Sequence, residues 1–215
     1  MLNISANKLA GICLIGGPAG ATILFIVLTI ILGDSSIEPT EFSKIATDIA
    51  GRTSLETLLA LLPPIFLVLT LYGISILRSD MKSGDAVFGL GQMMFAVGVF
   101  SFVIASGLTK ALEFGLDLSN GETMTALNGA VGSYGGLLFT LGTILIALVY
   151  ASNKEGFLKI GAYITALVFL VSFVVQVISW VDTGIWTLVG SVAGVSYIVV
   201  SIWNVFVGRD LLKRA

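Results

Sequence analysis

The fold class is decided by stretches such as Ile160–Val181, whose sequence IGAYITALVFLVSFVVQVISWV contains no charged side chain. A helix needs roughly 20 consecutive apolar residues to cross the hydrocarbon core of a bilayer. A transmembrane β-strand would instead alternate apolar and polar residues, and the run Ala166–Val171 does not alternate. The stretch therefore predicts a membrane-spanning α-helix.

Five further stretches have the same character, and every charged side chain lies between the stretches or at the ends of the chain. They are Leu9–Leu32, Thr57–Leu77, Ala86–Thr109, Thr123–Ala151 and Thr183–Gly208. The chain is 56 % hydrophobic and only 11 % charged, whereas a soluble domain carries about 25 % charged residues. We predict an all-α polytopic protein of the cell membrane, with residues 1–215 forming a single integral membrane domain, a bundle of six transmembrane helices.

The basic residues indicate an orientation, because cytoplasmic connections carry an excess of Lys and Arg. With the N-terminus inside, eight basic residues lie on the cytoplasmic side: Lys8, Arg78, Lys82, Lys154, Lys159, Arg209, Lys213 and Arg214. Only three then lie outside: Lys44, Arg52 and Lys110. Both termini are therefore predicted to be cytoplasmic.

The longest external connection, Gly33–Glu56, contains a helical pattern of its own. After the start signal Pro39-Thr40, four apolar residues recur at the spacing of one helical face: Phe42, Ile45, Ala46 and Ile49. This pattern predicts a short amphipathic helix on the outer membrane surface. Two roles are open for it, a connector with an apolar face or a lid over a cavity.

Three capping-box patterns stand just ahead of predicted spans. In this motif a hydroxyl group and a carboxylate three residues later bind the free backbone N–H groups of a helix start. The patterns are Thr53–Glu56, Ser119–Glu122 and Ser152–Glu155. They predict helix starts before the second, fourth and fifth spans.

The composition excludes several kinds of chemistry. The chain has no histidine, so a His-ligated metal or haem and a Ser-His-Asp triad are impossible. Its one cysteine, Cys13, can form neither an intrachain disulfide nor a thiolate pair. No span contains the ionisable group that a proton relay needs. We therefore predict no catalytic residue, cofactor or metal. Because no basic cluster in the sequence is longer than Lys213-Arg214, we also predict no nucleic-acid partner.

Small residues one turn apart indicate faces where helix backbones can approach closely. Spans one, four and six each carry such a pair, and the candidate packing residues are Gly16, Gly20, Gly132, Gly136, Gly190 and Gly194. These faces could pack within the bundle or dock another subunit.

Kinked and polar positions inside the spans are the candidates for an interior site. Pro63-Pro64 interrupts the second span, and a proline both removes a helical hydrogen bond and favours a kink. The neutral polar candidates are Gln92, Asn128, Tyr134, Gln176 and Asn204. Such side chains either bridge helices or line a path for a neutral ligand.

Three short patterns carry a resemblance to a known family: Lys8-Leu9-Ala10-Gly11, Ser54-Leu55 and Leu69-Thr70-Leu71-Tyr72. Over the N-terminal third, the chain resembles a family of small multi-span prokaryotic membrane proteins of unassigned function. The resemblance implies a comparable helical bundle and no particular activity.

Three hypotheses for function follow from these observations. The first is a non-catalytic accessory or packing subunit of a larger membrane assembly, with bilayer lipid and other membrane subunits as partners. The second is a small carrier or binding protein for a neutral or apolar ligand. The third is an intramembrane enzyme, which would have to use external carboxylates such as Glu56, Glu113 and Asp117 without any histidine.

Overall fold

The computed structural model describes residues 4–32, 37–113 and 120–215, and for residues 29, 30 and 113 it describes the backbone alone. The regular elements in these ranges are all helical. Six of the helices are long and apolar enough to cross a membrane. The prediction of an all-α chain with six candidate spans is therefore confirmed for the described residues.

Seven α-helices follow one another along the chain: α1 Ala6–Ile26, α2 Phe42–Ala50, α3 Ser54–Leu77, α4 Asp85–Glu113, α5 Gly121–Asn153, α6 Gly156–Ser179 and α7 Trp186–Lys213. A turn of π-helix, Val27–Ile31, extends α1, and short 3₁₀ helices, Arg78–Asp80 and Thr183–Ile185, follow α3 and precede α7. α1 and α3 continue through their prolines without a break in the helix.

The six long helices form a closed ring in the order α1, α3, α4, α5, α6, α7 and back to α1. The contact between α4 and α5 is the most extensive of the six, and those of α3 with α4 and of α6 with α7 are the smallest. The start of α1 and the end of α7 lie at the same end of the bundle, here named the terminal end. The short helix α2 packs on α5 and α4 and marks the opposite end, here named the α2 end.

The most tightly packed part of the core lies toward the terminal end. Its largest fully buried side chains include Leu14, Leu77, Phe88, Tyr150 and Leu211, each at most 1 % exposed. They come from α1, α3, α4, α5 and α7. The terminal end of the ring is thus filled by side chains from almost every long helix.

Glycines bring α4 and α5 into close contact. A Cβ atom on Gly98 would lie 2.7 Å from the carbonyl oxygen of Gly135, and one on Gly142 would lie 2.6 Å from that of Gly91. On each helix the two glycines are seven residues apart, which is two helical turns. The same residue type on both sides lets the two backbones approach without a side chain between them.

The seam between α1 and α7 is closed in the same way. A Cβ atom on Gly11 would lie 2.8 Å from the carbonyl oxygen of Gly208, and one on Gly208 would lie 2.6 Å from that of Gly11. Between α1 and α3, a Cβ atom on Gly17 would lie 2.7 Å from the carbonyl oxygen of Phe66.

The glycines predicted from the one-turn spacing have no backbone atom of a neighbouring helix among their nearest contacts. A Cβ atom on Gly16, Gly132 or Gly190 would meet nothing within 4 Å. Those on the others would meet side chains: Phe66 at Gly20, Gln176 at Gly136 and Phe25 at Gly194. Close backbone contact is found instead at the seven-residue pairs of α4 and α5 and at Gly11, Gly17 and Gly208, none of which belongs to a predicted one-turn pair.

The capping predictions have different outcomes. The box Thr53–Glu56 is confirmed, since the Thr53 hydroxyl accepts from the Glu56 amide and the Glu56 carboxylate accepts from the Thr53 amide at 2.7 Å. The box Ser152–Glu155 is wrong, because α5 continues to Asn153 and the Ser152 hydroxyl donates to the Val149 carbonyl. Ser119 lies outside the described residues.

We expect a leucine at Gly98 to destabilise the bundle, because the added side chain would meet the backbone of α5. Overpacking of a closed contact costs about 1–3 kcal/mol. Gly107→Leu is the matched control on the same helix, since a Cβ atom there meets nothing within 4 Å. The measurement is the fraction of monodisperse protein in detergent after heating. Gly98→Leu should lose its monodisperse peak at a temperature several degrees lower than Gly107→Leu. Equal transition temperatures would contradict the close contact of α4 and α5 at these glycines.

Candidate functional site

Two cavities lie between the helices, both in the half of the bundle nearer the α2 end. The larger has a volume of about 430 Å³ and is here named the α3–α4 cavity. Its wall includes Pro63, Pro64 and Leu67 of α3, Phe102 and Ser106 of α4 and Asn128 of α5. The smaller, of about 250 Å³, is here named the α6–α7 cavity, and its wall includes Ser172, Gln176 and Ser179 of α6, Trp186 and Gly190 of α7 and Thr140 of α5.

Neither cavity has a charged residue among those that line it in the described part of the chain. The walls consist mostly of aromatic and aliphatic side chains with a few hydroxyl and amide groups. Pockets for small molecules have typical volumes of 300–1,000 Å³ and the same predominantly apolar lining. The α3–α4 cavity thus has the size and chemistry of a site for an uncharged ligand.

The two cavities adjoin at a shared wall. Phe25, Phe102, Gly132 and Tyr197 line both of them, and the rings of Phe25 and Tyr197 lie 5.7 Å apart between centroids. At Gly132 this wall has no side chain, and a Cβ atom added there would meet nothing within 4 Å. The wall is therefore an aromatic partition that is open on the side of α5.

Amide, hydroxyl and carbonyl groups supply the polarity of the α3–α4 cavity. The Asn128 side chain donates to the carbonyl of Ala105 at 2.8 Å and to the hydroxyl of Thr109. Ala60, which also lines the cavity, lacks its usual intrahelical donor, because the residue four positions later is Pro64 and proline has no N–H group. The cavity wall thus includes a backbone acceptor that could bind a hydroxyl or amine.

The α6–α7 cavity is richer in polar groups. The Gln176 side chain donates to the hydroxyl of Thr140 at 3.1 Å and to that of Ser172 at 3.0 Å, which links α6 to α5. The indole N–H of Trp186 is buried and has no acceptor within the described residues. A ligand in this cavity could bind to the amide and hydroxyl groups of α5 and α6.

A much smaller cavity lies at the centre of the ring. Its volume of about 20 Å³ is enough for about one water molecule. Asn204 lines it, and so do Thr22 and Ser201, whose hydroxyl oxygens are 2.8 Å apart. This space can hold a water molecule but no organic ligand.

The predicted interior residues divide among these places. Pro63, Pro64 and Asn128 line the α3–α4 cavity, Gln176 the α6–α7 cavity and Asn204 the central one. Gln92 lies away from all three and donates to the Ser75 hydroxyl at 2.8 Å, which links α4 to α3. Tyr134 is 59 % exposed and packs against Trp180 with ring centroids 5.8 Å apart.

The aromatic partition was not predicted from the sequence. Phe25, Phe102 and Tyr197 come from α1, α4 and α7, and each stands among other apolar residues of its span. Nothing in the local pattern distinguishes them from residues that face lipid. The open position at Gly132 does have a signal, since it belongs to one of the one-turn glycine pairs.

Ion pairs join three helices at the terminal end. Arg214 pairs with Asp80, which follows α3, and with Asp210 of α7 at 3.0 Å. Asp210 also lies 3.7 Å from the Lys154 ammonium group, which follows α5. Burial opposes the charge on Arg214, but the hydrogen bond to Asp80 and the field of the two carboxylates outweigh it, so that the pKa of Arg214 is raised. This ion-pair cluster lies at the end of the bundle opposite the cavities.

The carboxylates considered for catalysis do not form a site in the described chain. Glu56 accepts hydrogen bonds from both the amide and the hydroxyl of Thr53 and thereby serves as a helix cap. Asp117 and the side chain of Glu113 lie outside the described residues. No group of His, Cys, Asp and Glu side chains in the described ranges could hold a metal ion.

Comparison of the chain with protein-family models, curated proteins and solved structures gave no match.

We expect a cysteine in the α3–α4 cavity to be accessible to a small reagent. In a Cys13→Ala background, Ser106→Cys introduces the only thiol. Methyl methanethiosulfonate should modify it roughly tenfold faster or more than the thiol of Ala147→Cys, because access limits the reactivity of a buried thiol. Ala147 is fully buried on α5 and lines neither cavity. Equal rates, followed by mass spectrometry of the intact protein, would show that the cavity is closed to small molecules.

Proposed function

We propose that this chain is a multi-pass protein of the cell membrane that binds a neutral or apolar small molecule between its helices, as a carrier or a receptor. The observation that carries the proposal is the uncharged α3–α4 cavity of about 430 Å³. The adjoining α6–α7 cavity adds amide and hydroxyl groups that could determine which ligand is accepted.

The packing of the rest of the bundle supports a functional role for these spaces. Helices in lipid associate through close packing, since there is no hydrophobic force between them, so open volume between helices forfeits stabilising contacts. At the terminal end the same helices pack until Phe88 and Tyr150 are fully buried. At the α2 end, Gly132 and Gly190 leave room that a larger side chain would fill. The helices around the cavities thus lack packing contacts of the kind that this chain makes at the terminal end.

The distribution of basic residues supports an orientation with both termini in the cytoplasm. The eight-to-three excess of Lys and Arg at the terminal end is the pattern of cytoplasmic connections. In this orientation the cavities lie in the outer half of the membrane, and the ion-pair cluster faces the cytoplasm. The short helix α2 then belongs to the outer surface.

α2 packs beside the cavities, but none of its residues is among those that line them. It buries Ala46 and Ile49 against the bundle, and the ring of Phe42 would lie 3.8 Å from a Cβ atom on Gly129. These contacts support the role of a connector with an apolar face rather than that of a lid.

An accessory role in a larger membrane assembly is a second candidate, supported by one observation on α1. Gly16 is exposed, and a Cβ atom on it would meet nothing within 4 Å. Ile12 and Ile23 on the same helix are exposed as well. A small residue on an apolar outer face is where a helix of another subunit could approach closely.

We expect Gly132→Phe to abolish ligand binding without unfolding the protein, because the new ring would enter the open space between the two cavities. Gly16→Phe is the matched control, since its Cβ atom also meets nothing within 4 Å and Gly16 lines neither cavity. Native mass spectrometry of protein extracted in mild detergent should show a bound small molecule on the wild type and on Gly16→Phe, and none on Gly132→Phe.

The same pair of variants separates the two candidate functions. A protein partner that co-purifies with the wild type and with Gly132→Phe, and is lost from Gly16→Phe, would support the accessory role. If all three proteins are recovered without a small molecule, the binding proposal fails.

A further inference from the structure

A basic pocket lies at the α2 end of the seam between α3 and α4. Its volume is about 100 Å³, and Arg52, Thr57, Leu61 and Lys110 line it. Three further residues, Ala60, Ser106 and Thr109, line both this pocket and the α3–α4 cavity. The pocket is thus directly adjacent to the cavity and differs from it in having two basic residues in its lining.

Carboxylates lie near Arg52, one of the two basic residues of this pocket. No acidic residue is among the described residues that line the pocket. Asp48 is 3.8 Å from the Arg52 guanidinium group, and both side chains are partly exposed, a combination that typically contributes little. The Glu56 carboxylate is bound to Thr53 in the cap of α3 and also interacts electrostatically with Arg52. An anionic group in the pocket could therefore bind Arg52 without first breaking a buried ion pair.

The seam itself is open toward the surrounding membrane. α3 and α4 have the smallest contact in the ring, and they are held together at the terminal end by the Arg78–Asp85 ion pair and the Gln92–Ser75 hydrogen bond. At the other end, Leu61 lines the basic pocket and is 39 % exposed on the outside of the bundle.

The depth of the site matches one leaflet of a bilayer. From Ser54, where α3 begins, to Leu67, at the far end of the cavity wall, the helix rises about 20 Å at 1.5 Å per residue, and Arg52 lies just before this start. The hydrocarbon of one leaflet is about 15 Å thick. An acyl chain could therefore extend from the basic pocket into the α3–α4 cavity while its headgroup stays at the membrane surface.

We infer that the seam between α3 and α4 binds an anionic membrane lipid, with the headgroup on Arg52 and Lys110 and one acyl chain in the α3–α4 cavity. This inference rests on the proposed function for the apolar part of the ligand, which occupies the uncharged space, and it replaces the neutral ligand proposed there by an amphiphile with an anionic headgroup. It accounts for two features together, a cavity without any charge and a pair of basic residues at its opening. A ligand without an anionic group would use only the first of these features.

The test uses lipids with a photoreactive diazirine in the acyl chain, in nanodiscs of phosphatidylcholine that contain the full-length protein. One probe is phosphatidylglycerol and the other is diacylglycerol with the same chains, which lacks the charge. Peptide mass spectrometry should place the phosphatidylglycerol label on residues 60–67 of α3 and 102–109 of α4. Labelling there should fall roughly 25-fold in Arg52→Gln/Lys110→Gln, because each basic group contributes about fivefold to binding an anionic lipid surface.

The control removes the same amount of charge from the terminal end. Lys8→Gln/Lys159→Gln changes two exposed residues that line neither the cavity nor the basic pocket, and its labelling should equal that of the wild type. Equal labelling by diacylglycerol and phosphatidylglycerol, or unchanged labelling in Arg52→Gln/Lys110→Gln, would overturn the anionic headgroup and leave the binding function standing. Labelling at these residues that is also unchanged in Gly132→Phe, and no stronger than on the outer face of α6, would overturn both.

Discussion

The close approach of α4 and α5 at paired glycines is the contact on which the arrangement of the other helices depends. Lipid exerts no hydrophobic force between helices, so the tightest seams form where backbones can touch. Gly91 and Gly98 face Gly142 and Gly135 in this way, and glycines also face the neighbouring backbone between α1 and α7 and between α1 and α3. The seams of α3 with α4 and of α6 with α7 have no such contact among the described glycines, and both cavities lie there.

The helices themselves could be predicted because charged residues are costly inside a bilayer, so that membrane spans appear in the sequence as stretches without charge. Each charge-free stretch became one long helix, and Thr53–Glu56 gave the start of α3 correctly. The packing was harder to predict, since a one-turn glycine pair identifies a face but not the helix opposite to it. The seven-residue spacing of Gly91 with Gly98 and of Gly135 with Gly142 occurs on two consecutive helices. That repetition is a signal that the one-turn pattern does not contain.

The candidate site was predictable only in its polar members, its two prolines and Gly132. Asn128 and Gln176 stand out in apolar spans, and the structure brings each to a cavity wall. A cavity, however, forms where side chains of different helices do not meet, and a local sequence pattern cannot show where this happens. The partition of Phe25, Phe102 and Tyr197 exists only because three helices that are distant in sequence converge. The basic pocket has the same origin, since Arg52 lies in the connection before α3 and Lys110 lies on α4.

The contrast between the two ends of the bundle bears on whether the proposed ligand is carried or held. A carrier must open the terminal end, and there the ion pairs of Arg214 are partly exposed, so each would cost only about 0–1 kcal/mol to break. The larger obstacle is the backbone contact of Gly11 with Gly208, together with the buried rings and aliphatic side chains around it. Separating those helices would lose close packing that lipid cannot replace. Holding a ligand requires no such rearrangement, because the α2 end is already open between α3 and α4. On these grounds a receptor or lipid-holding role requires fewer changes to the observed packing than transport does.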